Sequence, residues 1–193
     1  MKKLLLILLC LPIIGFGQNV SIQTLSKKPR VYLNSQYDIA YQETKGWEID
    51  DGISKLTIYR AYQPDTGFTF SINAMKLPIN DIDAHNFYDI MLKEFGGIEN
   101  FKAKMIEKSV NETYKKPLDY SIEKSYLKNF PVLITNFKYL HKDLGNEYEV
   151  RDITLQVIRN SHLITFTLMV SERFYKLDTY YFDDIFRHIY FIY

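Results

Sequence analysis

An α+β fold, with a central and mostly antiparallel sheet flanked by helices, is predicted here by three observations. Segments in which apolar and polar residues alternate, the period of a half-buried strand, recur in both halves of the chain. Between them, from Ala84 to Ile106, the apolar residues switch to helical spacing. A last helical segment follows the final strand.

The elements follow in order. Tyr37, Ile39 and Tyr41 alternate with Asp38, Ala40 and Gln42, which predicts a strand. Lys45-Gly46 marks a turn, and Trp47 and Ile49 lie on a short strand after it. Ile53 to Ala61 reads as a strand, and Pro64-Asp65-Thr66-Gly67 as a hairpin turn. Phe68, Phe70, Ile72 and Ala74 then alternate, so the first half reads as an antiparallel meander. Asn80 or Asp81 can cap a helix carrying Ala84, Phe87, Met91, Leu92 and Phe95, ended by Gly96-Gly97. Ile98, Phe101, Met105 and Ile106 predict a second helix with lysines on its other face. Leu118 to Leu127 and Pro131 to Leu140 read as strands, with a turn at Asp143-Leu144-Gly145-Asn146. Tyr148 to Ile158 and Leu163 to Val170 form a long hairpin around Arg159-Asn160-Ser161. The run LITFTLMV is apolar on both faces, which predicts a central strand with helices on each side. A terminal helix spans about Leu177 to His188, with Tyr181, Ile185, Phe186 and Ile189 on its buried side.

Residues 1–17 read as a signal peptide, 18–30 as a polar lead-in and 31–193 as a single domain. Lys2 and Lys3 form a positive start, Leu4 to Ile14 an apolar run, and Gly15-Phe16-Gly17 a small-residue cleavage site. Cleavage is expected after Gly17, which places the protein in the periplasm or outside the cell. The apolar run falls short of the ~20 residues that span a bilayer, and no later segment is long and apolar enough to do so. Cleavage removes Cys10, the single cysteine. Lipid attachment there would call for a small residue before Cys10, and Leu9 stands in that place. Without Lys2 and Lys3 the 24 basic residues fall to 22 against 23 acidic ones, a formal charge of −1. Such a balance excludes binding to nucleic acid by phosphate neutralisation. One cysteine excludes a disulfide framework and a thiolate zinc site.

No GxSxG, HExxH, P-loop, GxGxxG or EF-hand pattern occurs in residues 18–193. Asp81 and His85, and again Asp184 and His188, stand one helical turn apart. Brought to one side of the sheet, the four would make a two-His, two-carboxylate metal site. A simpler reading has Asp81 capping its helix, Asp183 and Asp184 solvated, and His188 complementing a helix C-terminus. His141 and His162 sit beside turns and are expected to be exposed. Asp50 and Asp51 are adjacent, so on a strand they point to opposite faces and cannot flank one scissile bond. Phe101 to Lys128 carries seven lysines against four acids, read as a helix with Lys102, Lys104 and Lys108 outward. Sixteen tyrosines are many for this length, and Tyr175, Tyr180 and Tyr181 around the last helix cannot all face inward.

The strand YDIAY at 37–41 leads to Gly46-Trp47. A hairpin, a glycine-ended helix, a run of strands and a final helix through DDIFRHIYF at 183–191 follow. This order resembles the PsbP-like superfamily over most of Tyr32 to Tyr193. The resemblance implies a sheet sandwiched by helices, and binding or adaptor work in place of catalysis. It supplies no catalytic residues to carry over. The reading is therefore an exported, non-enzymatic protein with no cofactor, acting on a protein partner of the cell envelope through its sheet face or terminal-helix edge. Tyr175, Tyr180 and Tyr181 are the candidate contacts. A carrier of a small apolar ligand or lipid is the alternative, and a metal-dependent enzyme a remote one.

Overall fold

The computed structural model describes residues 30–50, 54–77, 86–110, 115–143, 145–176 and 179–192. Residues 1–29, and with them the expected leader and most of the lead-in, lie outside that description.

Seven strands form one antiparallel sheet. In chain order they are β3 (Glu48–Ile49), β4 (Thr57–Tyr62), β5 (Thr69–Lys76), β6 (Lys115–Leu127), β7 (Phe130–Asp143), β8 (Asn146–Arg159) and β9 (His162–Ser171). Across the sheet the order is β3-β4-β5-β9-β8-β7-β6, so β9 is the central strand, as its composition predicts. A separate three-stranded sheet, unforeseen in the sequence, has the order β1-β2-β10, from β1 (Val31–Asn34), β2 (Ile39–Gln42) and β10 (Ile189–Phe191). The first-half meander is thus split between two sheets. β4 also starts later than the sequence suggests, because Ser54 to Leu56 form a bend and turn.

The two faces of β9 differ. Ile164, Phe166, Leu168 and Val170 are buried, while Thr165, Thr167 and Met169 are half-buried. On the buried face the register aligns Phe166 with Ile72 and Leu155, and Leu168 with Phe70 and Ile153. What covers them is the small sheet together with α4 (Thr179–Arg187), through Ile39, Tyr41, Ile185 and Ile189. Tyr41 stacks on Phe70 at 4.5 Å between ring centroids, and Phe186 meets Phe70 edge-on at 6.4 Å. The opposite face carries α1 (Phe87–Glu94) and α2 (Ile98–Val110). Their apolar sides gather Phe87, Tyr88, Met91, Leu92 and Phe101 over Leu133, Ile158 and Leu163. Helices thus lie on both sides of β9, as expected, α4 with the small sheet on one and α1 and α2 on the other. On the second side Leu163 packs under the helices and Met169 joins the cluster of Tyr139 and Val150, with Thr165 and Thr167 half-buried between them.

α1 ends where glycine permits it. Gly96 and Gly97 have φ of +77° and +107°, and the Gly97 N–H donates to Leu92 O at 2.8 Å, closing the helix in a Schellman-like turn. The expected caps Asn80 and Asp81, and Ala84, lie outside the described residues; Asn86 occupies the cap of the described helix. Two hairpin turns of the second half need no glycine. Lys128-Asn129 and Asn160-Ser161 all have positive φ, the type I′ geometry that suits hairpin twist. Ser161 holds φ +58°. Changing Ser161→Gly is expected to relieve that strain and stabilise the fold by about 0.5–1 kcal/mol. A melting temperature raised by ~2–3 °C would register it.

These same turns hold the chain end. Lys128 Nζ donates to Ile189 O at 2.7 Å and lies 3.5 Å from the Tyr190 ring. Arg159 Nη2 donates to Ile192 O at 3.1 Å, and its guanidinium covers Phe130 at 4.5 Å. The terminal helix therefore stops at Arg187. Ile189, expected on the helix, pairs instead with Tyr41 in β10.

Candidate functional site

The site follows from where β9 ends. Ser171 is extended, and the chain then turns at once into α3, a single turn from Glu172 to Tyr175. This short helix cannot be stable by itself. It is fixed by Glu172, whose side chain is 4% exposed and fully engaged. Arg151 on β8 grips it twice, Nε to Oε2 at 2.5 Å and Nη2 to Oε1 at 2.9 Å, in the two-pronged geometry that suits guanidinium and carboxylate. Arg151 Nη1 donates to Asn136 Oδ1 at 2.5 Å. Lys138 and Lys176 stand 3.8 and 3.7 Å from Glu172 Oε1. Lys138 also pairs with Glu149 at 2.8 Å. The hydrogen bonds from Arg151 hold the Glu172 carboxyl below the usual carboxylate range, and the same contact raises Arg151.

The helix so anchored presents two aromatic residues. Tyr175, one of the expected contacts, is half-buried with its ring 4.7 Å from the Arg151 guanidinium. Phe174 is 41% exposed, and its ring is backed edge-on by the buried Phe68 at 5.4 Å. Arg173 and Lys176 flank it, both exposed. Sequence reasoning missed Phe174. Its only sequence signal is adjacency to Tyr175, and one helical turn does not reveal which neighbour faces outward. Tyr180 and Tyr181 belong to α4, and their side chains lie outside the described ones.

The other candidates separate. Asp184 and His188 approach to 3.8 Å between Oδ2 and Nδ1, beyond hydrogen-bond distance; Asp81 and His85 lie outside the described residues. Among the described residues no three His, Cys, Asp or Glu side chains come together as a metal would need. His141 and His162, expected to be exposed, are half-buried. His141 lies 5.1 Å from the Tyr148 ring, and His162 lies 4.9 Å from the Tyr37 ring with Nδ1 2.6 Å from Asn160 O. Asp50 pairs with Arg60 at 3.3 Å; Asp51 lies outside the description. On α2, Lys104 is exposed as expected, whereas Lys102 and Lys108 are half-buried. Among the described residues no helix is long and apolar enough to cross a membrane.

The architecture can be compared with solved structures. The solution structure of cyanobacterial PsbP (CyanoP) from Synechocystis sp. PCC 6803 superposes with a TM-score of 0.58 and 14% identity, covering 94% of this chain and 98% of that one. The fold is PsbP-like. LpqN, a protein involved in cell envelope biogenesis of Mycobacterium tuberculosis, aligns over 90% of each chain with a TM-score of 0.48 and 10% identity. No protein-family model matches the chain, and no curated protein matches it significantly. At this identity the likeness to PsbP concerns the fold alone.

Proposed function

We propose that this PsbP-like protein is an exported, non-enzymatic binding protein that docks a protein partner of the cell envelope on the α3 edge. The observation that carries the reading is Phe174. A large apolar side chain stands in solvent, yet it is backed by Phe68 and rises from a helix locked by a buried ion pair. Rigid aromatic anchors beside arginine are the residue types that dominate protein interfaces, because they bury area at little entropic cost. Arg173 and Lys176 give the edge a positive rim, so the partner presents an acidic surface around an apolar pocket. Tyr175 packs against Arg151 next to the anchor, and Tyr180 and Tyr181 follow on α4. Export rests on Lys2, Lys3 and the apolar run Leu4 to Ile14. Sequencing of the secreted chain should begin at Gln18.

The test is a photo-crosslinking amino acid placed at position 174, with position 148 on the far end of β8 as the comparison. One acidic partner should be trapped from position 174 alone. Phe174→Ala should weaken that complex by roughly 30-fold, about 2 kcal/mol, with melting lowered by no more than ~4 °C. Equal trapping from both positions, or undiminished binding by Phe174→Ala, would sink the reading.

A further inference from the structure

The outer strands of the two sheets are β3 and β6 in the large one and β1 and β10 in the small one. An open strand edge pairs with any strand offered to it, so folded proteins guard such edges with short strands, lysine, proline or bulges. Three of the four are guarded. β3 has only two residues. β6 carries Pro117, Lys124 and a register shift between Pro117 and Asp119. On β10 the Ile189 carbonyl is taken by Lys128 Nζ at 2.7 Å. β1 has no lysine, no proline and an unbroken register with β2. The phase of its hydrogen bonds shows what it leaves open. The Glu43 N–H donates to Arg30 O at 2.8 Å, so Arg30 and Glu43 form a bonded pair, and Tyr32 and Asn34 follow at the same phase. Val31 and Leu33 therefore turn their N–H and C=O groups away from β2, and among the described residues nothing bonds them. Their side chains stand in solvent too, 45% and 61% exposed, on either side of the buried Tyr32.

We propose that β1 is a dimer edge: it pairs antiparallel with β1 of a second copy of this chain about a two-fold axis, joining the two small sheets into one of six strands. The occupant is a second copy because the strand is complementary to itself. With Tyr32 opposite Tyr32 of the second copy, Val31 and Leu33 of each chain exchange N–H and C=O groups with Leu33 and Val31 of the other. The exposed side chains then meet on one face. Leu33 stands beside Val31 of the second copy and extends the row Leu33, Ala40, Tyr190, in which Tyr190 is also 42% exposed. Arg30 comes opposite Asn34, so no like charges face each other. A shift of two residues one way sets Val31 against Ser35. A shift the other way sets Leu33 against Pro29, which has no N–H to give. Only the Tyr32-centred register matches every exposed aliphatic of the strand with another. Four residues bury far less than the ~800 Å² per partner of a standard interface. The dimer is therefore weak, half-formed at roughly 10–100 μM. The proposal does not depend on the α3 edge.

The test is sedimentation of the exported chain from about 1 to about 500 μM, with amide hydrogen exchange followed over the same range. Monomer should give way to dimer and to nothing larger, since a two-fold contact closes on itself. The Val31 and Leu33 amides should exchange at least ~10-fold more slowly in the dimer. Val31→Pro removes an N–H that β2 does not use. It should weaken the dimer at least ~10-fold and leave the melting temperature of the monomer within ~3 °C. Leu33→Lys supplies the guard that β1 lacks and should weaken the dimer as much. Phe174→Ala should leave the dimer intact, which separates this edge from the docking edge. A single-chain mass at every concentration would overturn the proposal. So would a dimer that survives both Val31→Pro and Leu33→Lys, or one in which the Val31 and Leu33 amides exchange as fast as in the monomer. Slow exchange at those amides without a dimer would give the edge to another strand, from a different protein or from the chain before Arg30, and would overturn it equally.

Discussion

Replacing Glu172 by alanine should destabilise the fold by about 3–5 kcal/mol, because it leaves the Arg151 guanidinium half-buried without its counter-charge. That is a large part of the ~5–15 kcal/mol that holds a domain together. Trp47, the single tryptophan, reports the change by fluorescence in a denaturant melt. Glu172→Gln should cost less, since the amide keeps one hydrogen bond to Arg151. The pH dependence has a definite sign. The folded-state carboxyl titrates below its unfolded value, held down first by the hydrogen bonds from Arg151. Its contribution is therefore complete above the ordinary carboxylate range near pH ~4–5 and is lost as pH falls through the lower folded value. Wild type should lose this increment in acid, whereas Glu172→Gln should already lack it at neutral pH and show a flatter acid limb. Parallel acid limbs in the two proteins would mean that Glu172 does not hold α3. The consequence for docking is direct. With Glu172 gone, nothing of comparable strength ties α3 to β8, and Phe174 loses its fixed direction.

How much of this was legible in the sequence depends on whether a local pattern encodes it. Phe68, Phe70, Ile72 and Ala74 alternate over seven residues, and all four are buried. The helix of Met91, Leu92 and Phe95 was legible because glycines stop it. The central place of β9 followed from its composition. What failed were elements too short to show a period. β1 and β10 have four and three residues, and they exist because each finds a partner in β2. Ile185, Phe186 and Ile189 have helical spacing, and the helix runs on until β2 offers a free edge. There the Gln42 N–H donates to His188 O at 3.1 Å and the backbone becomes a strand. The site was less legible than the fold. Arg151 and Glu172 are 21 residues apart, and nothing in the sequence between them announces a pair. Lys128-Asn129 turns a hairpin without glycine or proline, so composition gave no cue. Tyr175 was found by its aromatic character, whereas the exposed neighbour Phe174 depends on the direction of one helical turn.

Two adjacent residues on β9 should differ sharply in what they contribute to stability. Phe166 is fully buried against Ile72 and Leu155, between the large sheet and the small one. Phe166→Ala should cost about 3–5 kcal/mol, from lost burial and the cavity left behind, because the sheets on either side are paired along their length and cannot close the gap. Thr167 points the opposite way, among Thr154 and Ser71. Thr167→Val keeps the branched shape that strands favour, so it should change stability by no more than ~0.5 kcal/mol. Phe166→Ala should therefore lower the melting temperature sharply. Thr167→Val should leave it nearly unchanged. A strand packed on both faces, as its composition suggested, would instead show comparable losses of stability at both positions. Thr165 and Thr167 are what make the two outcomes distinguishable, because they lie half-buried between Leu163 and Met169 and belong to no buried apolar cluster.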